Sequence, residues 1–126
     1  MLNATIGAKG KYSDGVYQFG IKRNEKIMDA GMEVPSSIEV ATGINFQPLS
    51  NGNVAITGDF VLTGNEVNPV IKTLRDNNIN VTTIHNHMIC EEPRLFFLHF
   101  WSTGDQNKLA SELKEALNKT NSSLPK

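Results

Sequence analysis

Ser37-Ile38-Glu39-Val40-Ala41-Thr42-Gly43-Ile44-Asn45-Phe46 is followed by Ser50-Asn51-Gly52-Asn53 and then by Val54-Ala55-Ile56-Thr57-Gly58-Asp59-Phe60-Val61-Leu62. The first run alternates, with Ile38, Val40, Thr42, Ile44 and Phe46 on one face, which is the pattern of a half-buried strand. Asn51-Gly52 supplies the positive φ angles that a type I′ turn needs. The second run places Val54, Ile56, Phe60 and Leu62 on one side and Asp59 on the other. Two such runs joined by such a turn predict an antiparallel hairpin, and the rest of the chain arranges itself around it.

Upstream, Gly15-Val16-Tyr17-Gln18-Phe19-Gly20-Ile21-Lys22-Arg23 reads as a strand ending in charges, preceded by a small, polar lead-in over residues 1–14. Residues 24–35 are loop-like. Downstream, Asn68 is expected to cap a helix with Pro69 in its first turn and Val70, Ile71 and Leu74 as its apolar stripe. Residues 79–89 and 95–101 read as strands, the second being the most apolar run of the chain. Asp105 is the expected N-cap of a last helix carrying Leu109, Leu113, Ala116 and Leu117 on one side. The order β, β, β, α, β, β, α predicts an α+β fold: a mostly antiparallel five-stranded sheet with two helices packed on one face. A single domain over residues 15–119 is expected, with residues 120–126 as a polar tail.

Composition narrows the function classes. The chain has 126 residues, 20% of them charged, and a net charge of −1, so no bulk charge favours nucleic acid or an anionic membrane. No apolar run approaches the ~18 residues of a membrane span. Cys90 is the only cysteine, which excludes an intrachain disulfide and a cysteine-based zinc framework. The first residues lack the basic and apolar regions of a signal peptide; either the protein is not exported or an export signal has been removed.

The chemistry concentrates in one place. All three histidines, His85, His87 and His99, fall within one short stretch. His85 and His87 leave the same face of a strand, because side chains alternate with a period of two. A five-residue connection, Cys90-Glu91-Glu92-Pro93-Arg94, would set Ile89 opposite Leu95, His87 opposite Phe97 and His85 opposite His99. That register brings the imidazoles within reach of one ion, with Glu91 as a carboxylate ligand, and an even-length loop would undo it. A His, His, His, Glu set suits a divalent transition metal: zinc, manganese, iron, nickel or copper. Glu92 is the candidate general base, and Arg94, Phe97, Trp101 and Asp59 are candidates for contacting a substrate.

Several stretches resemble one family in order: Gly15-Val16-Tyr17, the run over residues 57–63, Glu66-Val67-Asn68-Pro69-Val70, Ile84-His85-Asn86-His87-Met88, Glu91-x-Pro93-Arg94, and His99-Phe100-Trp101 with Gly104-Asp105. Together they resemble the LppY/LpqO-type bacterial lipoprotein family, catalogued as domain of unknown function 1259, over residues 8–118. The resemblance implies an exported or envelope-associated bacterial or archaeal protein, often with two copies of the domain in one chain. Since one copy is present here, a homodimer is expected to supply the partner surface. The residues themselves support two functions. One is a metal-binding domain, in its enzymatic form a small metalloenzyme. The other is a non-catalytic envelope module that captures a small organic ligand or a metal, with the histidines structural or touching the ligand.

Overall fold

The computed structural model describes residues 2–34, 41–86 and 91–123. In chain order the elements are α1 (Leu2–Ile6), β1 (Lys11–Ser13), β2 (Val16–Lys22), β3 (Met28–Asp29), β4 (Met32–Glu33), β5 (Ala41–Pro48) and β6 (Asn53–Thr63). They continue with α2 (Gly64–Asp76), β7 (Asn80–His85), β8 (Glu91–Glu92), β9 (Leu95–Asp105) and α3 (Gln106–Leu117). The fold is α+β, and its main sheet is antiparallel throughout, in the order β1-β2-β5-β6-β9-β7.

This sheet has six strands rather than the expected five. The sixth is β1, a three-residue edge drawn from the lead-in, too short to show alternation in the sequence. A third helix, α1, also comes from the lead-in; it buries Leu2 and Ile6 against the core. The hairpin of β5 and β6 forms with Asn51 and Gly52 both at positive φ. β9 then inserts between β6 and β7, pairing with β6 from Asn53↔Asp105 to Thr63↔Leu95.

One face of the sheet carries Phe19, Ile21, Ile44, Phe46, Ile56, Phe60, Leu62, Leu98 and Phe100, which pack with the buried faces of the three helices. Burying these side chains stabilises each by about 1.5–3 kcal/mol relative to exposure. The opposite face is not wholly bare, as a single layer would leave it. A small sheet of order β4-β3-β8 lies beside a second cluster, in which Ile27 and Val34 close over Val61, Leu95 and Phe97. No helix among the described residues is long and apolar enough to cross a membrane.

α2 begins earlier than Asn68. Thr63 is its N-cap, and Glu66 reaches back to accept from the Thr63 N–H at 3.0 Å, completing a Thr-x-x-Glu capping box. Pro69 therefore sits inside the helix, not at its start. Glu66 does more than cap. The buried Arg23 donates to both of its oxygens, at 2.6 and 3.0 Å, to the Val61 carbonyl at 2.9 Å, and to both oxygens of Glu25 at 2.9 Å. Asn121 adds a backbone N–H to Glu66 at 2.9 Å, so residues read as a polar tail are latched onto the body. Ser123 N–H to the Lys22 carbonyl, at 2.7 Å, continues that latch.

Burial alone would raise the Glu66 carboxyl, but the bonds from Arg23, Thr63 and Asn121 hold it below the usual carboxylate range. Arg23 holds Glu25 low by the same kind of hydrogen bond. Burial disfavours the Arg23 charge, yet the two carboxylates raise its pKa further. Glu112 behaves in the opposite way. It is buried among the apolar residues of α3, its Oε1 has no hydrogen-bond partner among the described residues, and desolvation pushes its carboxyl up.

These shifts have opposite signs in linkage. The contribution of Glu66 and Glu25 is complete above the ordinary carboxyl range and is lost as pH falls through their lowered values. Folding instead favours the protonated form of Glu112, so its contribution is largest at low pH and is lost as pH rises through the raised value. Urea unfolding at pH 7 should show Glu66→Ala losing about 3–5 kcal/mol, because it leaves a buried guanidinium short of a partner. Glu112→Leu should gain about 1 kcal/mol, a gain that shrinks on acidification.

Candidate functional site

The face away from the helices is laid out in rows, because directly paired residues on neighbouring strands share a face. One row runs Gly43–Asp59–His99–Thr83 across β5, β6, β9 and β7. A second, toward the small sheet, runs Val61–Phe97–His85. A third, on the other side, runs Gln18–Asn45–Thr57–Trp101.

His85 thus stands opposite Phe97, not opposite His99 as the five-residue loop would require. The connection is longer in effect, because Glu91 and Glu92 leave the hairpin to pair as β8 with Asp29 and Met28. The displacement is two residues, an even number, so the face is preserved and the two imidazoles still meet on the diagonal. His85 Nε2 and His99 Nε2 are 2.8 Å apart, and the rings lie 4.9 Å between centroids at 23°. At that separation one nitrogen donates and the other accepts, so the two facing atoms hold a single proton between them. His85 also stacks on Phe97, at 6.2 Å and 14°. A bulge between Val81 and Thr83 shifts the ladder just before this point.

Asp59 faces His99 directly from β6. Its Oδ1 leans over Gly43, 3.4 Å from where a Cβ on that residue would stand. The neighbouring Gly58 allows β5 to approach β6 here, since a Cβ on it would run into the Gly43 carbonyl oxygen.

The other candidates are distributed differently. Glu91 is buried, 3% exposed, and its Oε2 accepts from the Leu95 N–H at 3.1 Å. Its Oε1 lies 3.5 Å from Arg94 Nη1, so Arg94 pairs across its own loop. Asn86 donates to the Leu95 carbonyl at 2.5 Å, and with Glu91 it clips both backbone groups of the first residue of β9. Glu92 is exposed on β8, opposite Met28. Phe97 is buried in the second cluster, with His85 stacked on it. Trp101 is 45% exposed, in the row beyond His99. His87 and Cys90 lie outside the described residues. Among the described residues, no three His, Cys, Asp or Glu side chains converge closely enough to hold an ion. The roles of Asn86 and Gly58 were missed in the sequence: the first depends on which way the loop turns, the second on a strand approach that local pattern does not encode.

Residues 1–119 match the family described as Domain of Unknown Function (DUF1259). The chain belongs to this family. Neither a curated protein nor a solved structure matches it. In this DUF1259 domain the histidine pair sits on the interior strand β9 and its edge neighbour β7, so its geometry depends on the whole β5-β6-β9-β7 ladder. Gly58→Ala should therefore part β5 from β6 beside Asp59. A loss of about 2–4 kcal/mol in urea unfolding is expected, as for other strained backbone substitutions.

Proposed function

We propose that this DUF1259 domain binds a divalent transition metal between His85 and His99. The observation that carries the reading is the 2.8 Å separation of the two Nε2 atoms. With metal–nitrogen bonds of about 2.0–2.1 Å, two nitrogens so spaced subtend about 85° at a shared ion. That angle suits adjacent positions of an octahedral or square site better than a tetrahedral one, and it favours manganese, iron, nickel or copper over zinc. His87 contributes the third imidazole, on the sequence spacing alone. Asp59, across the ladder from His99, is the carboxylate that orients its ring. Glu91 is better used as the anchor of Leu95 than as a ligand.

A metal bound through two or three imidazoles retains open positions, where it polarises a substrate oxygen or acidifies a water. That favours the metalloenzyme form over a closed, structural site. The LppY/LpqO-type kinship, with its envelope location, belongs to the same proposal.

Calorimetry with manganese, nickel, copper and zinc tests the reading. The wild-type chain should bind nickel or copper at least about tenfold more tightly than His99→Ala, with unfolding midpoints nearly equal, because a partly exposed histidine contributes little packing. Affinity should fall on acidification, since ligation requires deprotonated imidazole. Equal, weak binding of all four ions by wild type and the His85→Ala/His99→Ala double variant overturns it.

A further inference from the structure

We propose that the open face beside Trp101 is a saccharide site, taking a neutral pyranoside with its flat carbon face on the indole and its hydroxyls on the amides of Gln18, Asn45 and Gln47. Gln18, Asn45, Thr57 and Trp101 are direct cross-strand partners in one straight row over four adjacent strands. At about 4.8 Å per strand the row is about 14 Å long, room for a short oligosaccharide rather than an ion. Together with Gln47 and Ala55 these residues line a groove of about 280 Å³, near the lower end of small-ligand sites.

The chemistry of the lining selects the ligand. None of the lining residues is charged, and the charged residues nearest in register, Lys11 opposite Gln18 and Asp59 in the next row, stand at the margins, so the groove floor itself offers no ionic partner. Among the described residues, Gln18, Asn45, Gln47 and Thr57 make no side-chain hydrogen bond. Each amide offers both donors and an acceptor, the combination that neighbouring hydroxyls on one ring require. Trp101 is 45% exposed although β9 is an interior strand, and an indole on a polar row presents to solvent an apolar plane that no other aromatic ring among the described residues stacks on. On the side of His99 the next row is Gly20–Gly43–Asp59–His99: it carries no side chain beside Gln18 and Asn45, where the two glycines lie, and Asp59 and His99 bound the groove beside Thr57 and Trp101. A solvated strand face would account for the amides but not for the exposed indole among them.

This inference goes beyond the metal reading and does not need it, so its test is run in EDTA. Trp101 is the only tryptophan of the chain, and its emission reports on the groove directly. Cellobiose and N,N′-diacetylchitobiose are titrated into the full chain, up to about fifty times a millimolar dissociation constant. At least one should change the emission saturably. Asn45→Ala should weaken that binding at least about threefold, and Trp101→Ala, followed by calorimetry, at least about tenfold, with unchanged unfolding midpoints. The proposal is overturned if neither sugar gives a saturable change, or if both variants bind as wild type does. It is also overturned if emission shifts with protein concentration alone while the mass doubles, which would place a second copy of the chain in the groove.

Discussion

A buried guanidinium holds the molecule together. Arg23 directly follows β2, yet its donors are taken by Glu66 at the start of α2, by Glu25 in the following loop and by the Val61 carbonyl on β6. Glu66 in turn serves the helix it begins and the chain after α3. A charge so far from water is tolerated only when its fork geometry is matched, and two bidentate carboxylates match it. The Val61 carbonyl ties this network to the strand whose side chain lies in the second cluster, so both faces of the sheet are referenced to one residue. Where α2 starts, how β6 is held and where the tail runs are consequences of satisfying Arg23.

The open face divides at His85. On one side Ile27 and Val34 exclude water from Val61, Leu95 and Phe97; on the other the amides and the indole remain wet. The histidine pair lies at this seam, with an aromatic ring against one imidazole and solvent beyond. The seam is kept sharp by the clip of Asn86 and Glu91 on Leu95, which fixes where β9 begins.

The sequence disclosed what local periodicity controls. The β5–β6 hairpin, its Asn51-Gly52 turn and the Asp105 cap of α3, which accepts from the Lys108 N–H at 3.0 Å, follow from short patterns with a direct mechanical meaning. That His85 and His99 share a face was also legible, because parity survives an even shift. The register itself was not: β8 is two residues long, and nothing in Glu91-Glu92 announces a pairing with β3. The start of α2 was masked by Asn68-Pro69, which imitates a helix opening, while the true signal, Thr63-x-x-Glu66, lay a turn earlier. Arg23 looked like a strand-end charge because its partners are distant in the chain.

The slip in the ladder at Thr82 bears on descent. Val81 packs toward the helices and His85 points away from them, although strict alternation over four residues would send both the same way. The extra residue reconciles the two demands. A lineage that lost it would keep every pairing above and below, with the histidines still in contact. A lineage that gained or lost one residue between Thr83 and His85 would keep both histidines and turn one of them into the helical layer. Kinship at this site is therefore recorded in chain length more faithfully than in residue identity: two cousins with the same pair of letters need not share the same pair of rings.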